Sequence, residues 1–201
     1  MKYQILPVFS TPIGITKVSQ EFCEPLKKLK GMNQGEQTDN SNFYVLDRLP
    51  DLNKKLIKLF SDYINLNILH TPAQQYTITT SWITENANGD NMERHKHVNS
   101  YYSSVFYFDK VSKEHPPLCL ENLNPDDGFW LEPRRITEYN CRTIELPIEE
   151  GIIIYFPSYL YHFHPGWEPT EVPRKSLACN YIPINQFGRF DSTLDTRRIH
   201  G

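Results

Sequence analysis

Residues 151–164 read GIIIYFPSYLYHFH. A glycine turn opens an apolar, β-branched run. Phe156-Pro157-Ser158 closes it, and a histidine, His162, follows with His164 two residues on. The composition is that of a strand bounded by turn residues. Working outward, further runs of the same kind follow one another: QYTITTSWITE (75–85), SYYSSVFYF (100–108), PLCLEN (117–122), RTIELP (142–147) and RKSLACNYI (174–182). Turn signals separate them at Asn88-Gly89-Asp90, Asp126-Asp127-Gly128, Glu150-Gly151 and Pro165-Gly166. Short strands at this spacing predict a sandwich or barrel. Before residue 74 the pattern differs. Residues 3–17 are broken by Pro7 and Pro12 and read as an edge strand or bent arm, because proline cannot donate to a ladder. A short helix is expected after Ser19, then a polar loop over 33–42. Leu52, Leu56, Leu59, Phe60, Tyr63 and Ile64 recur at spacings of three and four, which predicts a helix over 50–66 with one apolar stripe. The expected fold class is mainly β with flanking helices.

The chain has 201 residues, enough for one domain with its own core. We read 1–70 as a helical buttress, 74–183 as the β core and 187–201 as a polar tail, all within a single domain 1–201. With 39% hydrophobic and 22% charged residues the composition is that of a folded protein, and the net charge of −3 argues against a general nucleic-acid binder. No apolar run is long enough for a membrane helix and the first residues lack a signal-peptide core, so no membrane is expected. Cys23, Cys119, Cys141 and Cys179 lie far apart with no CxxC pattern, so neither a zinc site nor a disulfide scaffold is expected, and the cytoplasm is the expected location.

Four of the seven histidines form two His-x-His pairs, His95-Lys96-His97 and His162-Phe163-His164. In a strand, residues two apart share a face, so each pair can aim two imidazoles at one point. Such a pair on its own is as well explained by polar strand-face residues. The order is more informative: His-x-His, a strand-rich gap, a histidine, and twelve residues later Arg174-Lys175-Ser176. Two or three ligands on neighbouring strands make an open facial site suited to Fe(II). An arginine on the next strand can clamp a carboxylate bidentately, and serine two residues on adds a hydroxyl on the same face.

These residues resemble the 2-oxoglutarate/Fe(II)-dependent oxygenases with a double-stranded β-helix (jelly-roll) core. More narrowly, the chain resembles a group of such oxygenases common in bacteria and marine phages. The resemblance rests on His95-Lys96-His97-Val98-Asn99-Ser100, Ser104-Val105-Phe106-Tyr107-Phe108, Phe156-Pro157-Ser158 with His162, Arg174-Lys175-Ser176, and the opening Pro7-Val8-Phe9-Ser10-Thr11-Pro12-Ile13. It implies Fe(II) held by His95, His97 and His162. It also implies 2-oxoglutarate as cosubstrate, its far carboxylate on Arg174, Ser176 and Tyr107. O2 would be consumed, succinate and CO2 released, and a C–H bond of an unidentified substrate hydroxylated. The broad superfamily carries His-x-Asp/Glu before its later histidine, whereas His97 stands at the acidic position here, as in the narrower group. Either three histidines bind the metal or two of them do.

Several residues have competing readings. His164 shares a face with His162 and is its alternative as ligand. Tyr107 is equally a core aromatic, and Ser176 an ordinary strand serine. Trp82 and the cysteines read as core. His70, His115 and His200 read as surface residues, and Glu121 as a solvent-facing strand residue. Substrate contacts are expected in the loops 86–94 and 123–141. Two other functions fit the pattern. One is a cupin-like three-histidine dioxygenase without cosubstrate, in which Arg174 and Ser176 have no evident role. The other is a non-catalytic jelly-roll structural or binding module, as a phage might encode.

Overall fold

A computed structural model describes residues 10–31, 43–71, 74–122, 132–137 and 139–199. Pro7, Val8 and Phe9, the loop 33–42, the Asp126-Asp127-Gly128 turn and His200 lie outside these residues. In chain order the elements are β1 (Gly14–Lys17), α1 (Gln20–Lys27), α2 (Pro50–Asp62), β2 (Gln75–Asn86), β3 (Met92–His95), β4 (Tyr102–Tyr107), β5 (Leu118–Glu121), β6 (Thr143–Leu146), β7 (Ile152–Pro157), β8 (His162–His164), β9 (Arg174–Ile184), β10 (Gln186–Phe187) and β11 (Leu194–Asp195).

The core is a jelly roll of two antiparallel sheets. The larger runs β1-β7-β4-β9-β2 and the smaller β3-β8-β5-β6, while β10 and β11 form a separate hairpin. β7, the run that opened the sequence reading, lies between β1 and β4 and is buried at all six positions. Its residues divide between two cores by the period of two. Ile152, Ile154 and Phe156 join Tyr107, Leu118, Leu120 and Leu146 between the sheets. Ile153 and Tyr155 join the other side, where Cys23 and Leu26 of α1 and Leu52, Leu56 and Phe60 of α2 cover the large sheet. Phe60 is the centre of that cover, stacked on Tyr181 with ring centroids 4.1 Å apart. Burying one such side chain stabilises the fold by about 1.5–3 kcal/mol.

The expected helix over 50–66 is found in two parts. α2 starts with Pro50 in its first turn, where the missing N–H costs nothing, and runs to Asp62. The chain then widens into a π-helical turn, Tyr63–Ile68. The edge-strand reading of the N-terminal arm is met over Gly14–Lys17, which pairs with β7. Four strands lie outside the expected runs. β3 falls largely in the expected loop 86–94, β8 has three residues, and β10 and β11 have two each; all are too short or too polar to show a period. No helix among the described residues is long and apolar enough to cross a membrane.

Candidate active site

The two His-x-His pairs meet because β3 pairs with β8, with His95 opposite His162. The first pair does not behave as expected of a strand. His95 ends β3, while His97 lies beyond it, in the connection to β4, and its backbone N–H donates to the Ser158 carbonyl at 3.0 Å. The imidazoles converge all the same. One ring nitrogen from each of His95, His97 and His162 lies within 4.8 Å of the others. His97 Nε2 is 3.2 Å from His162 Nε2. Two neighbouring ligands on one metal, with bonds near 2 Å, stand about 3 Å apart, so the gap fits a shared ion.

The protonation states fit as well. His95 Nδ1 faces the Glu93 carbonyl at 2.8 Å and His162 Nδ1 faces the Leu160 carbonyl at 3.2 Å. A carbonyl only accepts, so both rings carry a proton on Nδ1, which leaves Nε2 as the nitrogen available to a metal. Burial, then His95, pulls His97 down to about 4. Burial, then His95 and His97, pulls His162 down to about 3. Both are neutral near pH 7, the form that binds metal.

Arg174 opens β9 and is 5% exposed. Its Nη2 donates to the Tyr107 hydroxyl at 2.9 Å, and its Nε, also buried, has no partner. Among the described residues no carboxylate forms an ion pair with it. A buried guanidinium in this state is an anion site by its own energetics. Ser176 Oγ lies 2.9 Å from Thr84 Oγ1 on the neighbouring strand. The three histidines, Arg174, Tyr107 and Ser176 all line one cavity of about 810 Å³.

His164, the alternative to His162, also lines this cavity and is buried, but it is not in the convergent trio. Burial, then Arg174, pulls it down to about 4. The reading of Trp82 as plain core is corrected. It lines the cavity, 5.5 Å from the His97 ring, with Phe43 packed on its edge. The cause is a register shift between Ile78 and Thr80 that reverses the parity of β2. Tyr76 before it and Ile83 after it face the helices, so Thr80, Trp82 and Thr84 turn to the cavity. No sequence signal marked that shift. His115 is corrected too: it is buried, with Nδ1 accepting from the Ser112 N–H and Nε2 2.9 Å from the Val172 carbonyl. Glu121 pairs with Arg94 at the cavity rim. His70 is exposed. Cys23, Cys119 and Cys179 are buried and Cys141 half-buried, all unpaired.

A family model described as "Putative 2OG-Fe(II) oxygenase" matches residues 80–180, half of the chain. The chain belongs to the 2OG-Fe(II) oxygenase family. The matched span holds all three convergent histidines together with Tyr107, Arg174 and Ser176. No curated protein sequence matches the chain. Solved structures share its fold. The non-heme alpha-ketoglutarate-dependent epimerase SnoN from nogalamycin biosynthesis superposes with a TM-score of 0.57 at 12% identity, over 89% of this chain and 82% of that one. HygX from Streptomyces hygroscopicus, with iron bound, gives 0.52 at 12% identity, over 85% and 82%. A 2OG-Fe(II) oxygenase family oxidoreductase from Burkholderia pseudomallei gives 0.47 at 13%, and this chain spans 55% of its length.

Proposed function

We propose that this oxygenase holds Fe(II) through His95, His97 and His162 and binds the far carboxylate of 2-oxoglutarate through Arg174, Tyr107 and Ser176, hydroxylating a substrate C–H bond. The observation that carries this reading is a single cavity that holds both a trio of convergent imidazoles and a buried guanidinium without an acidic partner. The iron-bound structure of HygX on the same fold supports it. Bound Fe(II) with O2 would oxidise 2-oxoglutarate to succinate and CO2 and provide the oxidant for the C–H bond.

The chain's own residues do the rest. Backbone carbonyls of Glu93 and Leu160 fix the tautomers of His95 and His162, so both Nε2 lone pairs face inward. The fork of Arg174 and the Tyr107 hydroxyl meet the carboxylate where burial keeps water out. Thr84 orients the Ser176 hydroxyl beside them. We take the whole chain as one catalytic domain. The four unpaired cysteines suit a reducing cytoplasm. The alternatives are weaker on one point: neither a cosubstrate-free dioxygenase nor an inert jelly-roll module gives Arg174 an anion to hold.

The test is anaerobic titration with Fe(II) and then 2-oxoglutarate, followed by the visible charge-transfer absorption of the chelate and, on admitting O2, by succinate release. We expect both signals, and weaker 2-oxoglutarate binding in Arg174→Lys with iron retained. Iron-loaded protein that neither binds nor turns over 2-oxoglutarate would refute the reading.

A further inference from the structure

Phe156-Pro157-Ser158 provides no candidate ligand, yet it touches two of the three. The Phe156 ring packs on His162, centroids 4.8 Å apart. Ser158 meets the segment that carries His97 in two places. Its carbonyl accepts from the His97 N–H at 3.0 Å, and its hydroxyl donates to Ser100 Oγ at 2.8 Å. Beyond these, Ser100 Oγ donates to the Tyr102 carbonyl at 2.8 Å, with the Tyr181 carbonyl at 3.3 Å, and the His97 ring lies 5.5 Å from Trp82. Val98 is 71% exposed and Asn99 sits at φ 55°, a left-handed conformation that a side chain adopts reluctantly. Apolar packing therefore does not fix this segment, and hydrogen bonds must.

Ser158 is itself firmly anchored. It is 0% exposed, and its N–H donates to the Tyr101 carbonyl at 3.2 Å. Its hydroxyl lies 2.9 Å from Ser103 Oγ. Ser103 donates to Asn180 Oδ1 at 2.8 Å, and Asn180 Nδ2 donates to Thr80 Oγ1 at 2.9 Å. Five polar side chains thus lie in one line, each within 3 Å of the next, from β2 through β9 and β4 to Ser158 and on to Ser100, and the single Ser158 proton serves either Ser100 or Ser103. Buried polar clusters of this kind rigidify what they touch.

We infer that Ser158 is a positioning residue for the metal centre: gripping the His97–Ser100 segment at both ends, it sets His97 against His162. This rests on the proposed assignment of His97 as a ligand. Ser158 touches neither metal nor cosubstrate, and its effect passes through His97.

The experiment uses the full chain with Co(II) alone as probe, without 2-oxoglutarate or O2. It measures Co(II) affinity, the visible ligand-field spectrum and the unfolding temperature of wild type, Ser158→Ala, Ser100→Ala, the double variant and His97→Ala. Each single serine variant is expected to bind Co(II) about tenfold more weakly, about 1.4 kcal/mol, with an altered spectrum. Both remove the Ser158–Ser100 bond, so the double variant should lose less than the sum of the two single losses. Wild-type affinity and spectrum with only a lower unfolding temperature would overturn the inference, as would additive losses in the double variant. Ser100 is only half-buried, so Ser100→Ala carries the test if Ser158→Ala fails to fold. If His97→Ala keeps wild-type affinity, the ligand assignment itself is wrong. If it loses affinity while both serine variants keep theirs, the positioning role alone falls.

Discussion

Replacing Arg174 by methionine separates a structural arginine from a cosubstrate clamp. The structure sets three contributions in the ligand-free protein. The variant loses one charge-assisted hydrogen bond, to Tyr107, worth about 1.5–3 kcal/mol. It leaves the buried Tyr107 hydroxyl without that partner, at about 1–3 kcal/mol. It also removes a buried cation with an unpaired Nε and no carboxylate partner, whose desolvation costs several kcal/mol. The three nearly cancel, so Arg174→Met should fold with stability close to wild type. Cosubstrate binding has no such compensation. Two charge-assisted bonds to a carboxylate contribute about 3 kcal/mol or more, roughly a 150-fold change in affinity. At a 2-oxoglutarate concentration 100 times the wild-type Kd, binding stabilises the wild type by about 2.7 kcal/mol. The variant at that concentration should gain only about 0.3 kcal/mol. For a chain of this size these are shifts of about 5–10 °C and about 1 °C in Tm. The assay is thermal unfolding of Ni(II)-loaded protein with and without 2-oxoglutarate. A variant that keeps the full ligand-induced shift refutes the clamp. One that unfolds several kcal/mol more easily without ligand shows that Arg174 is structural.

His162→Ala should lose at least tenfold in Fe(II) affinity, while His164→Ala should keep its iron; iron kept in His162→Ala and lost in His164→Ala by metal analysis would reverse this choice between the two. Acid should destabilise the metal-free protein. His97, His162 and His164 have folded pKa values of about 4, 3 and 4, below the ordinary 6.5, so only the unfolded chain takes up their protons as pH falls below 6.5. Stability is then complete above 6.5 and falls towards pH 4 with a slope of up to about 4 kcal/mol per pH unit, and urea titrations between pH 7 and 4.5 that show no slope would contradict it. Gly89→Ala should cost about 2–4 kcal/mol by denaturant unfolding, because Gly89 has φ +77° and an added Cβ would lie 2.0 Å from the Trp167 carbonyl oxygen. A neutral effect there would mean that the Gly89–Trp167 contact yields easily.

The strands that the sequence made legible are those whose burial repeats. β7 is buried along its whole length and β4 at all but one position, and both show as unbroken apolar or aromatic runs. β3 and β8 were hidden because their residues are chosen for the cavity. Glu93 and Arg94 face solvent while His162 and His164 are buried, so polarity there reports chemistry instead of a face of the sheet. Trp82 was misplaced for a different reason. Period-two reasoning holds only while the register does, and the shift between Ile78 and Thr80 turns every later side chain of β2 over. The order of histidines and arginine along the chain pointed to one site, but not to how His95 and His97 would meet His162. His95 meets His162 through the pairing of β3 with β8, while His97, off the strand, donates its N–H to the Ser158 carbonyl, more than sixty residues away in sequence.

A charge count gives the site its logic. A ligand set with one carboxylate would cancel part of the charge of a ferrous ion, whereas the proposed set, His95, His97 and His162, brings no negative charge. Arg174 adds a further positive charge to the same cavity. Three carboxylates line the cavity, but Glu85 pairs with Lys175 and Asp90 and Glu93 are exposed, while the inner strand faces offer only neutral groups: Thr80, Trp82 and Thr84 from β2, Ser176, Ala178 and Asn180 from β9. The cavity therefore carries an excess of positive charge whenever it holds a divalent metal, in surroundings where screening is weak. A dianion such as 2-oxoglutarate relieves this at both ends at once, one carboxylate at the metal and the other at the guanidinium. Binding of metal and of dianion should each strengthen the other, and linkage requires the two factors to be equal. On the proposed ligand set, with His97 in place of an acid, the metal would be held less by charge of the protein's own and more by the cosubstrate that the reaction consumes.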